Sequence, residues 1–192
     1  WVYRLILNEF FNDRNTVFKQ SAIAGKLGIS LSTVNNALKP VKQNGAVDVF
    51  KNGFRLVDAQ KLITYWATAR NLEKDVIYET RVEAPVSEIE KTMPAGTLYS
   101  AYSAYKFLFN DVPADYGKVI VYADGQAVKK IIELFPPKKG PVNLIVLEKD
   151  ERINSGNLGG VAPASQVYVD LWNLRDWQAK EFLKALEKRW GF

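Results

Sequence analysis

The sequence predicts a two-domain chain of the α+β/α/β class: a small unit over residues 1–70, then an α/β domain with a mixed sheet over 76–192. Three observations predict it. Residues 1–70 alternate helical apolar stripes with one turn-bounded strand pair. After residue 75, strand-like and helix-like runs interleave, the pattern of a sheet covered by helices. The formal net charge of +5 is also unevenly spread. Residues 1–70 carry 10 Lys and Arg against 4 Asp and Glu, a net of +6; residues 71–192 carry 16 against 17, a net of −1. That asymmetry suggests a polyanion-binding module joined to a near-neutral one.

Taken in order, Val2, Leu5, Ile6 and Phe10 form an apolar stripe over 1–11, ending at Asn12-Asp13. Ile23, Ala24 and Leu27 mark a short helix over 19–28. Val34, Leu38 and Val41, at i, i+4 and i+7, mark a third over 31–44. Pro40 inside it removes one backbone bond and crowds the carbonyl of Asn36, so the helix is expected to kink there or end near Lys39. Val47–Phe50 and Phe54–Val57 flank Lys51-Asn52-Gly53, a hairpin signal because Asn-Gly tolerates positive φ. Asp58 can cap a fourth helix over 59–70. The polar stretch Asn71–Asp75 is the expected boundary. Beyond it the expected order is strand 76–82, helix 87–92, helix 98–109, strand 118–123, helix 125–135, strand 142–148, strand 166–170 and helix 176–190. Residues 136–141 and 154–163 read as loops by Gly and Pro content.

The segment Ser21 to Val34 resembles the helix-turn-helix of bacterial and archaeal regulators. Ala24 is small where two helices would cross, and Gly28 gives the turn its backbone freedom. Ile29 plugs the core, Ser30 caps the next helix, and Val34 and Leu38 anchor it. The outward face, Ser32, Thr33, Asn35, Asn36, Lys39 and Lys42, contains no acid. Short hydroxyl and amide side chains reach phosphates and base edges, Asn pairs with adenine, and lysines suit phosphates. The hairpin places Lys51, Asn52 and Arg55 on a wing. The expected double-stranded DNA contacts are therefore Ser30, Ser32, Thr33, Asn35, Asn36, Lys39, Lys42, Lys51, Asn52 and Arg55 of a winged helix-turn-helix. A helical hairpin that merely packs would explain the apolar positions alone; the wing and the local charge favour DNA. A palindromic operator would require a homodimer, because one recognition helix reads one half-site.

In the second domain Tyr99, Tyr102 and Tyr105 recur every third residue, and semi-buried packing is the expected role. The stretch Gly96–Tyr105, the strands Lys118–Tyr122 and Val167–Leu171, and the closing helix with Trp177–Glu181 and its Glu181–Leu186 rhythm resemble the AbiEi antitoxin family of type IV toxin–antitoxin systems. The resemblance implies a DNA-binding, autoregulating antitoxin that neutralises a nucleotidyltransferase-like toxin. The residues alone leave open a regulator whose α/β domain senses a small ligand.

Catalysis finds little support. Cys and His are both absent, which excludes thiolate nucleophiles, Cys/His zinc sites and histidine bases, and fits a cytoplasmic protein. Asp124 and Asp170 each lack a second carboxylate two residues away, as an Asp-x-Asp magnesium site would need, although they could meet in space. Gly156-Asn157-Leu158-Gly159-Gly160 lacks the Lys-Ser/Thr of a phosphate loop and is expected to be a mobile loop. No catalytic residue, metal or cofactor is expected; a nucleic-acid-modifying enzyme is the weakest alternative. The apolar runs Val119–Ala123 and Val142–Leu147 are too short to span a bilayer and read as buried strands; no membrane segment or signal peptide is expected.

Overall fold

The computed structural model describes residues 1–153 and 160–192. The fold is mixed α and β, with two small sheets, one of them mixed. The backbone falls into two compact units, Trp1–Arg70 and Asn71–Gly191.

The first unit runs α1 (Val2–Asp13), β1 (Val17–Phe18), α2 (Gln20–Leu27), α3 (Leu31–Gln43), β2 (Val47–Phe50), β3 (Gly53–Leu56) and α4 (Ala59–Ala69). Its core joins Ile6 and Leu7 of α1, Ile23 and Leu27 of α2, Val34, Leu38 and Val41 of α3, and Leu62 and Ile63 of α4, all buried. The expected caps form. Ser30 accepts the backbone N–H of Thr33 (3.1 Å), and Asp58 accepts that of Lys61 (2.9 Å). Gly28 takes φ 61° at the turn, the left-handed region open to glycine. Ile29 is only half-buried and closes the edge of the core rather than its centre.

Two details of this unit depart from expectation. Of the two outcomes expected at Pro40, a kink or an end near Lys39, the second does not occur: α3 continues through Pro40 to Gln43. Val41, fully buried one residue past the proline, anchors the last turn, and the N–H of Asn44 closes on the Pro40 carbonyl (3.1 Å). The hairpin turn is Lys51-Asn52 alone, since Phe50 pairs with Gly53, and neither Asn52 nor Gly53 has positive φ. Gly53 is required for a different reason. β1, a short strand absent from the expected elements, crosses it so closely that a Cβ there would lie 2.2 Å from the Phe18 carbonyl oxygen. Stacking of Phe18 on Phe54, with centroids 5.2 Å apart, draws the two strands together.

The second unit begins with a 3₁₀ turn, Leu72–Asp75, and runs β4 (Val76–Thr80), α5 (Val86–Thr92), β5 (Leu98–Ser100), α6 (Ala101–Phe109), β6 (Val119–Ala123), α7 (Gly125–Leu134), β7 (Leu144–Glu148), α8 (Ala164–Trp172) and α9 (Trp177–Trp190). The sheet order is β4-β7-β6-β5, with β6 and β7 parallel and both outer pairs antiparallel. β6 is buried along its whole length because both faces are covered, which explains its unbroken apolar run. Val119, Val121 and Ala123 face Ile89 of α5 and Ala127 and Ile131 of α7. On the opposite face, Phe182 of α9 meets Tyr102 and Tyr105 of α6 edge-on, each at 5.1 Å.

Two expected elements are corrected. Residues 166–170 are not a strand but the middle of helix α8. Ser165 through Leu171 are all buried, polar Ser165, Gln166 and Asp170 included, and a short segment buried on every side shows neither the period of an amphipathic helix nor that of a half-buried strand. The β-branched Val167 and Val169 tip a propensity reading towards strand, and packing against α6 and α9 overrides it. The expected helix 98–109 divides: Leu98–Ser100 pair with β6, and Ala101, at φ 48°, turns the chain into α6. The three tyrosines therefore form no single helical stripe. Tyr102 and Tyr105 are buried; Tyr99, on β5, is half-buried with its hydroxyl on the Glu90 carbonyl, and burial pushes it up to about 12.

Candidate nucleic-acid interface

α3 buries Val34, Leu38 and Val41 and so must turn the remaining faces outward. Ser30, Ser32, Thr33, Asn35, Asn36, Lys39 and Lys42 are exposed, as are Lys51, Asn52 and Arg55 of the hairpin. Asn35, Lys39 and Lys42 fall at i, i+4 and i+7, one continuous row along the helix, and the survival of α3 beyond Pro40 keeps Lys42 in that row. A 13-residue helix is about 20 Å long, and a major groove about 12 Å wide admits it end-on or along its axis.

The engagement of these side chains differs. The Ser30 hydroxyl is shared with Thr33 Oγ1 (2.9 Å) besides capping the helix, and Lys39 Nζ donates to Asn36 Oδ1 (3.0 Å). Ser32, Asn35, Lys42, Lys51, Asn52 and Arg55 make no side-chain hydrogen bond or ion pair among the described residues. Their donors and acceptors are thus satisfied by water, which a nucleic acid can displace. Arg55 does not stand among cations alone. In the β2–β3 ladder it stands opposite Asp48, also exposed, and that carboxylate tempers the positive field of the hairpin.

The fold also brings residues that the linear reading missed, Lys19, Gln20, Ser21 and Leu31, to the expected contacts Lys51 and Asn52. Lys19, Gln20 and Ser21 at the start of α2, Leu31 at the start of α3, and Lys51 and Asn52 of the turn line one cleft of about 390 Å³. Lys19 and Lys51 lie far apart in sequence, and only the β1–β3 pairing brings their segments together. α2 has no side-chain cap, which leaves its first backbone N–H groups to solvent. A signal was present in the sequence, since Lys19-Gln20-Ser21 opens a helix without an acid. Leu31 is 49% exposed, an apolar side chain on a polar rim.

The polar residues of the second unit behave otherwise. Asp170 is fully buried; its Oδ2 accepts from Ser100 (2.6 Å) and Tyr122 (2.7 Å), and its Oδ1 from Gln166 (2.9 Å). Asp124 caps α7 by accepting from the backbone of Gln126 and Ala127. The two carboxylates thus serve different partners. Buried Glu90 accepts from Lys106 and from the Tyr116 hydroxyl (2.7 Å). Of the glycine-rich stretch 156–160, all but Gly160 lies outside the described residues. Among the described residues no helix is long and apolar enough to cross a membrane. No family model, curated protein or solved structure matches this chain.

Proposed function

We propose that this chain is a sequence-specific DNA-binding transcriptional regulator, with the first unit a winged helix-turn-helix, α3 its reading helix and β2–β3 its wing. The observation that carries this reading is the acid-free, largely unengaged polar face of α3, bordered by a cleft with Lys19 and Lys51 on its walls. In this reading Ser32, Asn35 and Asn36 approach base edges, while Lys39, Lys42, Lys51, Asn52 and Arg55 hold phosphates. Lys19 and the uncapped start of α2 join them at the backbone.

Enrichment of a random duplex library on the full chain should yield a defined site, and a gel-shift series on that site tests the face. Asn36→Ala should cost about 1–3 kcal/mol and relax preference at one position. Removing Lys51 or Arg55 should weaken all sequences alike and lower the salt slope by about 1 each. Unchanged affinity and an unchanged slope in all three variants would refute the assignment.

The finer reading is an autoregulating, cytoplasmic antitoxin that counteracts a nucleotidyltransferase-like toxin and binds its operator as a homodimer. It is supported by the AbiEi-like stretches Gly96–Tyr105, Lys118–Tyr122 and Trp177–Leu186. Co-expression with a nucleotidyltransferase-like toxin should restore growth; continued growth arrest would remove this reading and leave DNA binding intact.

A further inference from the structure

A second site is drawn in the Asn71–Gly191 unit, independent of DNA. At the end of β4 and the starts of β6, β7 and α9 lies an open cleft of about 200 Å³, lined by Arg81, Tyr102, Tyr116, Lys118, Asn143 and Gln178. Its charges do not cancel. Asp176, on the same rim, accepts Lys118 Nζ with both oxygens (2.8 Å each) and the Tyr102 hydroxyl at 3.2 Å, so one acid is matched to one base. Glu83 is bonded to Lys138 at 2.5 Å, and its carboxyl is held below the usual range chiefly by that lysine and in smaller part by the field of Arg81. The Arg81 guanidinium itself forms no ion pair or side-chain hydrogen bond among the described residues, and its effect on Glu83 is the weaker, longer-range one.

Arg81 is nevertheless held in place. Its backbone N–H donates to the Lys138 carbonyl (3.4 Å), and its stem lies flush against Gly140. At Gly140, φ is 144°, and an added Cβ would stand 3.1 Å from Arg81 Cγ. Only glycine lets the 136–141 loop lie so close to the arginine. Asn143 braces the same corner, accepting the Val82 N–H (2.7 Å) and donating to the Val82 carbonyl (3.0 Å). The Gln178 carboxamide makes no hydrogen bond among the described residues. Tyr102 and Tyr116, stacked with centroids 5.3 Å apart, supply a rigid wall whose hydroxyls are spent on Asp176 and Glu90.

An arginine with a fixed stem and no ion pair of its own among the described residues, an idle carboxamide and a stiff aromatic wall suit a ligand that is small, negative and has paired acceptor oxygens. We propose that this cleft binds a compact oxyanion, a phosphate monoester or a carboxylate, with Arg81 as its bidentate partner and Gln178 and Lys118 completing the ring of donors.

Calorimetric titration of the full chain tests it, using inorganic phosphate in one arm and malonate in the other, at low ionic strength with a chloride control. The Lys19→Ala/Lys51→Ala background removes the phosphate-binding candidates of the first unit. Saturable binding of one equivalent in that background is expected, and the tighter arm identifies the oxyanion. Arg81→Ala should weaken it about tenfold or more, the loss of a charged hydrogen-bonded pair. Arg81→Lys, which keeps the charge without the fork, should fall between. Gln178→Ala, at a half-buried position in the first turn of α9 whose side chain makes no hydrogen bond among the described residues, should weaken binding with little change in melting temperature. Absence of saturable binding in both arms, or equal affinity for wild type and Arg81→Ala, would overturn the proposal. Failure of DNA binding would leave it untouched.

Discussion

Two sets of polar side chains, one in each unit, are handled in opposite ways. In the first, Ser32, Asn35, Lys42, Lys51, Asn52 and Arg55 stand in water without partners in the described chain, around a core built almost wholly from aliphatic and aromatic groups. In the second, Ser100, Tyr122, Gln166 and Asp170 are buried together and hydrogen-bond to one another. A buried donor left unpaired is costly, so the second cluster reads as structure. A solvated donor is available for recognition at little cost, which is why the first set is the one proposed as interface. Residue type alone does not separate the two: both sets are hydroxyls, amides and charges.

The comparison can be broken most forcefully at Asp170. Asp170→Ala deprives Ser100, Tyr122 and Gln166 of their acceptor, and unfolding in denaturant should show a loss of about 3 kcal/mol. DNA affinity per folded molecule should be unchanged. A stability loss below 1 kcal/mol would mean that the buried network is not structural.

A smaller loss is expected at Gly53, which tests how the hairpin is held. Gly53→Ala forces a methyl against the Phe18 backbone, an obstacle that cannot rotate away, and should cost about 2 kcal/mol. Because Phe18 follows Val17 on β1 and precedes Lys19, the variant should also disturb the cleft between α2 and the hairpin. A melting temperature equal to wild type would show that β1 is free to move.

The gentlest probe is Asp48→Asn. It removes the carboxylate opposite Arg55 without touching the core, and DNA affinity should rise by a few-fold, about 0.5–1 kcal/mol, most clearly at low salt. Weaker binding in that variant would place Asp48 among the contacting residues and reverse its assigned role.

The sequence by itself determined whatever depends on neighbours a few residues apart. The caps Ser30 and Asp58, the Gly28 turn, the buried row Val34, Leu38 and Val41, and the exposed row beside it follow from a 3.6-residue period and local hydrogen bonding. The burial of β6 follows as directly from an apolar run too short for a membrane. Tertiary structure alone decided the rest. Val167–Leu171 is a helix because α6 and α9 enclose it, a fact invisible to a short segment that is buried on every side. Pro40 stays inside α3 because Val41 is buried beyond it, and Gly53 is glycine because a strand 35 residues earlier crosses it. Lys19 meets the hairpin, and Arg81 is fixed at its cleft by Gly140, through the same kind of long-range approach. Local chemistry selects the element and its outward face where one side meets water; the type of a fully buried segment and the choice of distant side chains that share a site are set by packing, because close approach of backbones is a property of the folded chain and not of any segment within it.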